Sequence, residues 1–108
     1  MRDGFRTFIG KRINVEMEFV CISSKGYVYD KDNDATILFK NIKDFNGNIL
    51  SDHIWFDYGK RFKILGKLNK GDIIYCNGKV TKYKRSNNSI DFSLSHLKKI
   101  RRNKSSKN

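Results

Sequence analysis

Between Ile13 and Ile22 the sequence reads INVEMEFVCI, with Ile13, Val15, Met17, Phe19 and Cys21 alternating with Asn14, Glu16 and Glu18. A period of two sends successive side chains to opposite faces of an extended chain, so this stretch predicts a long strand with one buried face. Val20 and Ile22 interrupt the polar side, and that end of the strand is expected to be covered on both faces. One half-buried strand commits the rest of the chain to a sheet that covers its apolar side.

The remainder supplies that sheet. SSKGYVYDKDND is a loop, ATILFKNIKD is β-branched and aromatic and forms a second strand, and FNGN carries an Asn-Gly pair suited to a tight hairpin. ILSDHIWFDY is then a third strand, antiparallel to the second. Past Gly59 the period changes, because Phe62, Leu65 and Leu68 recur every three residues with Gly66 between them, which predicts one short, imperfect helix. DIIYCNGKVTKYKR is a fourth strand with Ile74, Cys76, Gly78 and Val80 on one face, RSNNS a turn, and IDFSLSHL a fifth strand with Ile90, Phe92 and Leu94 together.

Strand, strand, strand, short helix, strand, strand is an all-β chain with one short helix, and the order resembles the five-stranded OB-fold barrel. The segment LNKGDIIYCNGKV, Leu68 to Val80, is similar to the approach to the fourth strand in anticodon-binding and single-strand-binding OB domains, with Gly71 at the turn and Gly78 expected at a sharp bend. The resemblance covers residues 13–100, leaving residues 1–12 as an N-terminal segment and 101–108 as a basic tail. IKDFNGNILSDHIWF and FSLSHLKKI are also similar to small OB-like proteins of phages and mobile elements, and usage rich in Lys, Asn and Ile without proline fits an AT-rich genome.

At 108 residues the chain has room for one modest core. Its net charge of +12 makes a polyanion the natural partner, through attraction and counterion release. Half of that charge stands between Lys98 and Asn108, on Lys98, Lys99, Arg101, Arg102, Lys104 and Lys107, with no acid among them. In OB-fold single-strand binders, bases stack on aromatics across the second and third strands while cations follow the phosphates, and the resemblance implies that arrangement here. The residues that fit it are Trp55 and His53 on the third strand, Phe39, Lys40 and Lys43 on the second, and Tyr27 and Tyr29 in the first loop with Lys25 and Lys31. Lys60 and Arg61, with Lys63, stand at the helix, Tyr75, Lys79, Lys82, Tyr83, Lys84 and Arg85 on the fourth strand and its turn, and Lys98, Lys99, Arg101 and Arg102 toward the C-terminus are candidates for the same contacts. If Ile54 and Phe56 are core, parity turns Trp55 and His53 outward, but parity alone does not say which side of a sheet is covered.

Other chemistries find little support. Cys21 and Cys76 are too few for a disulfide framework and are read as small apolar residues, and with His53 and His96 they lack zinc-site spacing. Asp30, Asp32 and Asp34 imitate the start of a calcium loop, but Ala35 stands where Gly is needed and Asn41 where a bidentate Glu belongs. No nucleophile, phosphate-loop or metal motif is present, so no enzyme activity, cofactor or small-molecule substrate is expected. Neither a membrane-length apolar run nor a signal-type one occurs, and a cytoplasmic location is expected. The leading expectation is a non-enzymatic binder of single-stranded nucleic acid, more readily DNA than RNA, with low sequence specificity, acting in replication or maintenance of a phage or mobile element. The alternatives are an accessory subunit that binds a polymerase, primase or helicase through an outward patch of Trp55, Phe39 and Ile37, and a binder of structured RNA.

Overall fold

The alternating stretch forms β1 (Arg12–Ser24), which hydrogen-bonds on both edges, to β2 (Ala35–Asp44) and to β4 (Ile73–Lys84). β3 (Ile49–Asp57) adds outside β2 and β5 (Ile90–Arg102) outside β4, giving the antiparallel order β3-β2-β1-β4-β5. The computed structural model describes residues 3–24, 35–84, 87 and 89–102. A single helical turn, α1 (Lys60–Lys63), links β3 to β4. The chain is therefore all-β with one short helix, and its sheet curls into a half-barrel compatible with an OB-like fold.

Curling requires extra residues at chosen points, and the register shows where they are. Asn41, His96 and Lys99 have φ of 52, 51 and 55°, and the pairing slips by one residue at each of them. A bulge of this kind bends the strand, tightens its twist and resets which face the next side chain takes. In β5 two such resets leave Leu94, Leu97 and Ile100 facing inward at a spacing of three. β5 thus runs past the end expected for it, to Arg102, and Lys98, Lys99, Arg101 and Arg102 belong to a paired strand rather than to a tail.

β1 carries its own irregularity at Val20, where Phe19 pairs with Phe39 and Cys21 already pairs with Leu38. Alternation in the sequence puts Cys21 in line with Phe19. The slip turns it outward, and Cys21 is exposed while Cys76 is buried. Phe39 is likewise a correction. It was expected on the ligand face, but it is fully buried and its ring meets Phe19, Phe56 and Phe62 at centroid distances of 6.3, 6.0 and 5.7 Å. Such edge and tilted contacts add about 0.5–1.5 kcal/mol each to the burial of the rings, and Ile37 is buried with them. Lys40, one position on, takes the outward parity and was the signal that Phe39 faces in.

The ends of the half-barrel are filled from outside the five strands. Residues 1–12 lie outside the resemblance and carried no assigned element; there a 3₁₀ helix (Asp3–Phe8) inserts Phe5 into the core with no exposed surface. Gly4 permits this, since a Cβ there would lie 2.5 Å from the Ile49 carbonyl oxygen and 2.6 Å from Leu50 Cα. Gly10 N–H and Lys11 C=O then bond the Val80 backbone at 2.8 and 2.9 Å. At the other end Phe62 of α1 is buried with Leu68. Gly71, at φ 96°, turns the chain into β4 as expected, whereas Gly78 serves packing more than bending: a Cβ on it would stand 2.9 Å from Leu97 Cδ2.

Two measurements check this account. Phe5→Ala should lower the urea midpoint with a loss of about 3–5 kcal/mol, the cost of emptying a core phenylalanine site, where a detached N-terminal segment would leave the midpoint unmoved. A thiol reagent should label Cys21 in the folded protein and Cys76 only on unfolding, because burial pushes the Cys76 thiol up to about 12.

Candidate nucleic-acid interface

Alternation in β3 buries Ile54 and holds Trp55 out on the convex face with 45% of its surface exposed. Trp55 pairs with Leu38 across the β2–β3 ladder, and His53 pairs with Lys40 in the next outward row. His53 is exposed, its Nδ1 3.1 Å from the Asp52 carboxylate. Beyond the end of β3, α1 supplies exposed Lys60, Arg61 and Lys63, the last with its ammonium 5.7 Å from the Tyr58 ring. One indole, one imidazole and Lys40 therefore share the outward rows of β2 and β3, and the α1 cations follow three residues past the end of β3.

The basic residues expected on the same trough are divided by β1. Glu18 and Glu16 stand in the outward rows between β2 and β4, Glu18 across from Lys40 and Glu16 between Lys43 and Tyr75. Lys40 Nζ lies 3.5 Å from the Glu18 carboxylate, and Asn41 Nδ2 donates to the same group at 3.1 Å. Two carboxylates in the middle of a strip repel a phosphate backbone, so β2–β3 and β4–β5 are separate surfaces.

On the second surface Tyr75 is half-buried and already engaged. The Arg101 guanidinium lies 5.5 Å from its ring centroid, and the Phe45 ring meets it edge-on at 5.7 Å. It is not an open plate. Arg102 likewise has structural work: it donates to the Asp72 carboxylate at 2.9 Å and to the Lys67 carbonyl at 3.0 Å, fastening the end of β5 to the chain before β4. Lys79 and Lys98 are exposed with the outward rows, while Lys82 and Lys84 pair with Phe92 and Ile90 and so stand on the opposite parity, at the rim. Lys99 is exposed at its bulge, and Tyr83 occupies the β4 position opposite Asp91. Tyr27, Tyr29, Lys25, Lys31, the three aspartates of the first loop and Arg85 lie outside the described residues.

Sequence reasoning passed over Asp44, which ends β2 and builds the hairpin. It is 6% exposed, and its carboxylate accepts from the backbone N–H of Asn46 and of Asn48 and from Asn48 Nδ2, each at 2.9 Å. The turn completes with Gly47 at φ 90° and presents Phe45 and Ile49, which are 52% and 68% exposed. An Asp one residue before Phe-Asn-Gly, able to close an Asx turn, was the available signal.

The class these observations define is an all-β half-barrel with a solvent-held tryptophan on an edge strand and a basic helical turn after it. No family model, curated protein or solved structure matches the chain. Among the described residues no group of three His, Cys, Asp or Glu side chains gathers as a metal site would, and no helix is long and apolar enough to cross a membrane.

The hydrogen bonds from Asn48 and its neighbours hold the Asp44 carboxyl below its ordinary value of 3.8. Its stabilising contribution is complete above that ordinary value and is lost as pH falls through the lowered one. Asp44→Asn should therefore be less stable than the parent at neutral pH by about 2 kcal/mol, and the gap should narrow in acid, as read from urea midpoints taken down the acid limb.

Proposed function

We propose that this protein is a non-enzymatic, OB-fold binder of single-stranded nucleic acid, DNA in the first instance, working in the cytoplasm of a cell that carries a phage or mobile element. The observation that carries the reading is Trp55: a large apolar ring left half in water on the second and third strands, where OB-folds receive single strands, with His53 and Lys40 in the next outward row and the cations of α1 just past the end of its strand. A ring in that position takes the π-face of any base for about 1–3 kcal/mol without reading sequence, while the cations meet the phosphates. The path runs along β2–β3 toward α1 and does not cross the carboxylates of β1. The net charge of +12 raises the encounter rate with any polyanion and makes the affinity depend steeply on salt.

A second reading has its own observation. Phe45 and Ile49 stand exposed at the β2–β3 turn, beside a groove of about 250 Å³ with Phe8, Ile13 and Asn14 in its wall. A replication enzyme that docks there would make the protein an accessory subunit, and a strand on β2–β3 would not obstruct it.

Oligothymidylate should quench Trp55 fluorescence at low salt, with an affinity that falls on a log–log salt plot by a slope of about −3 if some four phosphates are neutralised. Trp55→Ala should weaken binding about tenfold, as loss of one stacked base predicts. Phe45→Ser, on the other surface, should leave the oligonucleotide affinity near the parent's. An unquenched, salt-insensitive Trp55 would overturn the strand-binding reading.

A further inference from the structure

The half-barrel does not close by pairing its two edge strands. Between β3 and β5, a cleft of about 280 Å³ is lined by Phe56, Asp57 and Gly59, by Arg61 and Phe62 of α1, and by the Leu94 to Leu97 stretch of β5. Phe56, Phe62, Leu94 and Leu97 form an apolar floor, and Asp57, Arg61 and His96 are exposed at its rim. Arg61 reaches across and donates from Nη1 to the Leu97 carbonyl at 3.3 Å. That contact uses one of the five donors of a guanidinium.

The far wall is held from behind. His96 stands at the bulge with φ 51°, and Arg12 fixes its carbonyl through Nη2 while Nε donates to Asn77 Oδ1 at 2.7 Å. The His96 ring lies with Nδ1 3.0 Å from Ser95 Oγ. Paired strands thus support both walls, and side-chain hydrogen bonds from Arg12 and Arg61 brace the far one.

We propose that this cleft seats one nucleobase of the bound strand, with guanine preferred. The proposal rests on the strand-binding reading and adds a base-reading position to it. Size limits the occupant first, since sites for drug-sized ligands span about 300–1,000 Å³ and this cleft falls just below that range. A flat ring can lie against half-buried Phe56, whose own ring is backed by buried Phe62 at 5.8 Å with 35° between their planes. Chemistry narrows the choice further. Guanine presents two acceptors, O6 and N7, on one edge, the pair that a guanidinium grips best, and two donors, N1–H and N2–H, on the next, for which a carboxylate is the natural acceptor. Arg61 and Asp57 supply that pair of partners on one rim. Asp57 is also two residues along β3 from Trp55, about 7 Å at the rise of a strand, so a strand stacked on the indole brings its neighbouring nucleotide to the seam.

Two readouts separate this proposal from the reading beneath it. In methyl NMR of the full chain, deoxyguanosine monophosphate should shift the Leu94 and Leu97 methyl signals more than thymidine monophosphate does at equal concentration. In Trp55 titrations, oligothymidylate with guanine at every third position should bind about tenfold more tightly than plain oligothymidylate. Asp57→Ala and Arg61→Gln should each bring that ratio toward one. Arg61 also bridges the seam, so Asp57→Ala, on the exposed rim, carries the test where Arg61→Gln lowers stability. Quenching by both oligonucleotides with no gain from guanine, and leucine methyls unmoved by deoxyguanosine monophosphate, would overturn the base-reading cleft and leave strand binding standing. Methyl shifts without any quenching of Trp55 would uphold the cleft's base chemistry and remove the strand path along β2–β3.

Discussion

The fold depends on the backbone of β1 being hydrogen-bonded on both edges over the same residues. Val15 faces Asp44 on one side and Cys76 on the other, and Glu16 faces Lys43 and Tyr75. One strand so shared ties two hairpins into a single sheet, and its inward side chains, Val15, Met17 and Phe19, touch the core of both. The bulges at Val20 and opposite Glu16 and Glu18 then bend that sheet round its own apolar face. The same strand brings Glu16 and Glu18 to the outer surface, so the device that unifies the core also splits the basic exterior into two fields.

Four ladders join the five strands, and closure is achieved by packing in place of a fifth. Phe5 fills one end from the N-terminal 3₁₀ helix, Phe62 the other from α1, and Arg61 spans the gap between them to the Leu97 carbonyl. A small domain has little apolar surface to bury, and the four-ring group around Phe39 concentrates what this chain has beneath β2 and β3. That places the aromatic part of the core beneath the two strands that carry Trp55 and its partner Leu38. A ring that must meet a base at a fixed height gains from a floor that does not yield.

The sequence was readable where local rules act alone. Period two located β1 and β3 and set Trp55 and His53 on the face opposite Ile54 without saying which face is covered, Asn-Gly marked the hairpin, and the three-residue spacing around Phe62 marked α1. It was unreadable where a bulge resets parity. Leu94, Leu97 and Ile100 follow neither the period of a strand nor that of a long helix, and only the left-handed residues His96 and Lys99 between them restore one face. Arg101 and Arg102 therefore looked like a solvated arm, although Arg102 fastens β5 to Asp72. Phe5 was hidden for another reason: nothing near it in the chain signals burial, since the helix that carries it packs against β3 and β5, more than forty positions away. Of the candidate surface, Trp55, His53, Lys40 and the α1 cations were visible as parity and charge. The interposed carboxylates required the pairing of three strands.

The two left-handed residues in β5 have a consequence for the protein in a crowded cell. An unpaired outer strand is an invitation to copies of itself, because its free amides and carbonyls can template a foreign strand along their whole length. Here that outer border is broken at His96 and again at Lys99, with exposed Lys98 between them, so no straight run of docking groups persists beyond a few residues. On the β5 side, a barrel that stays ajar thus offers a shorter template than the length of its border suggests.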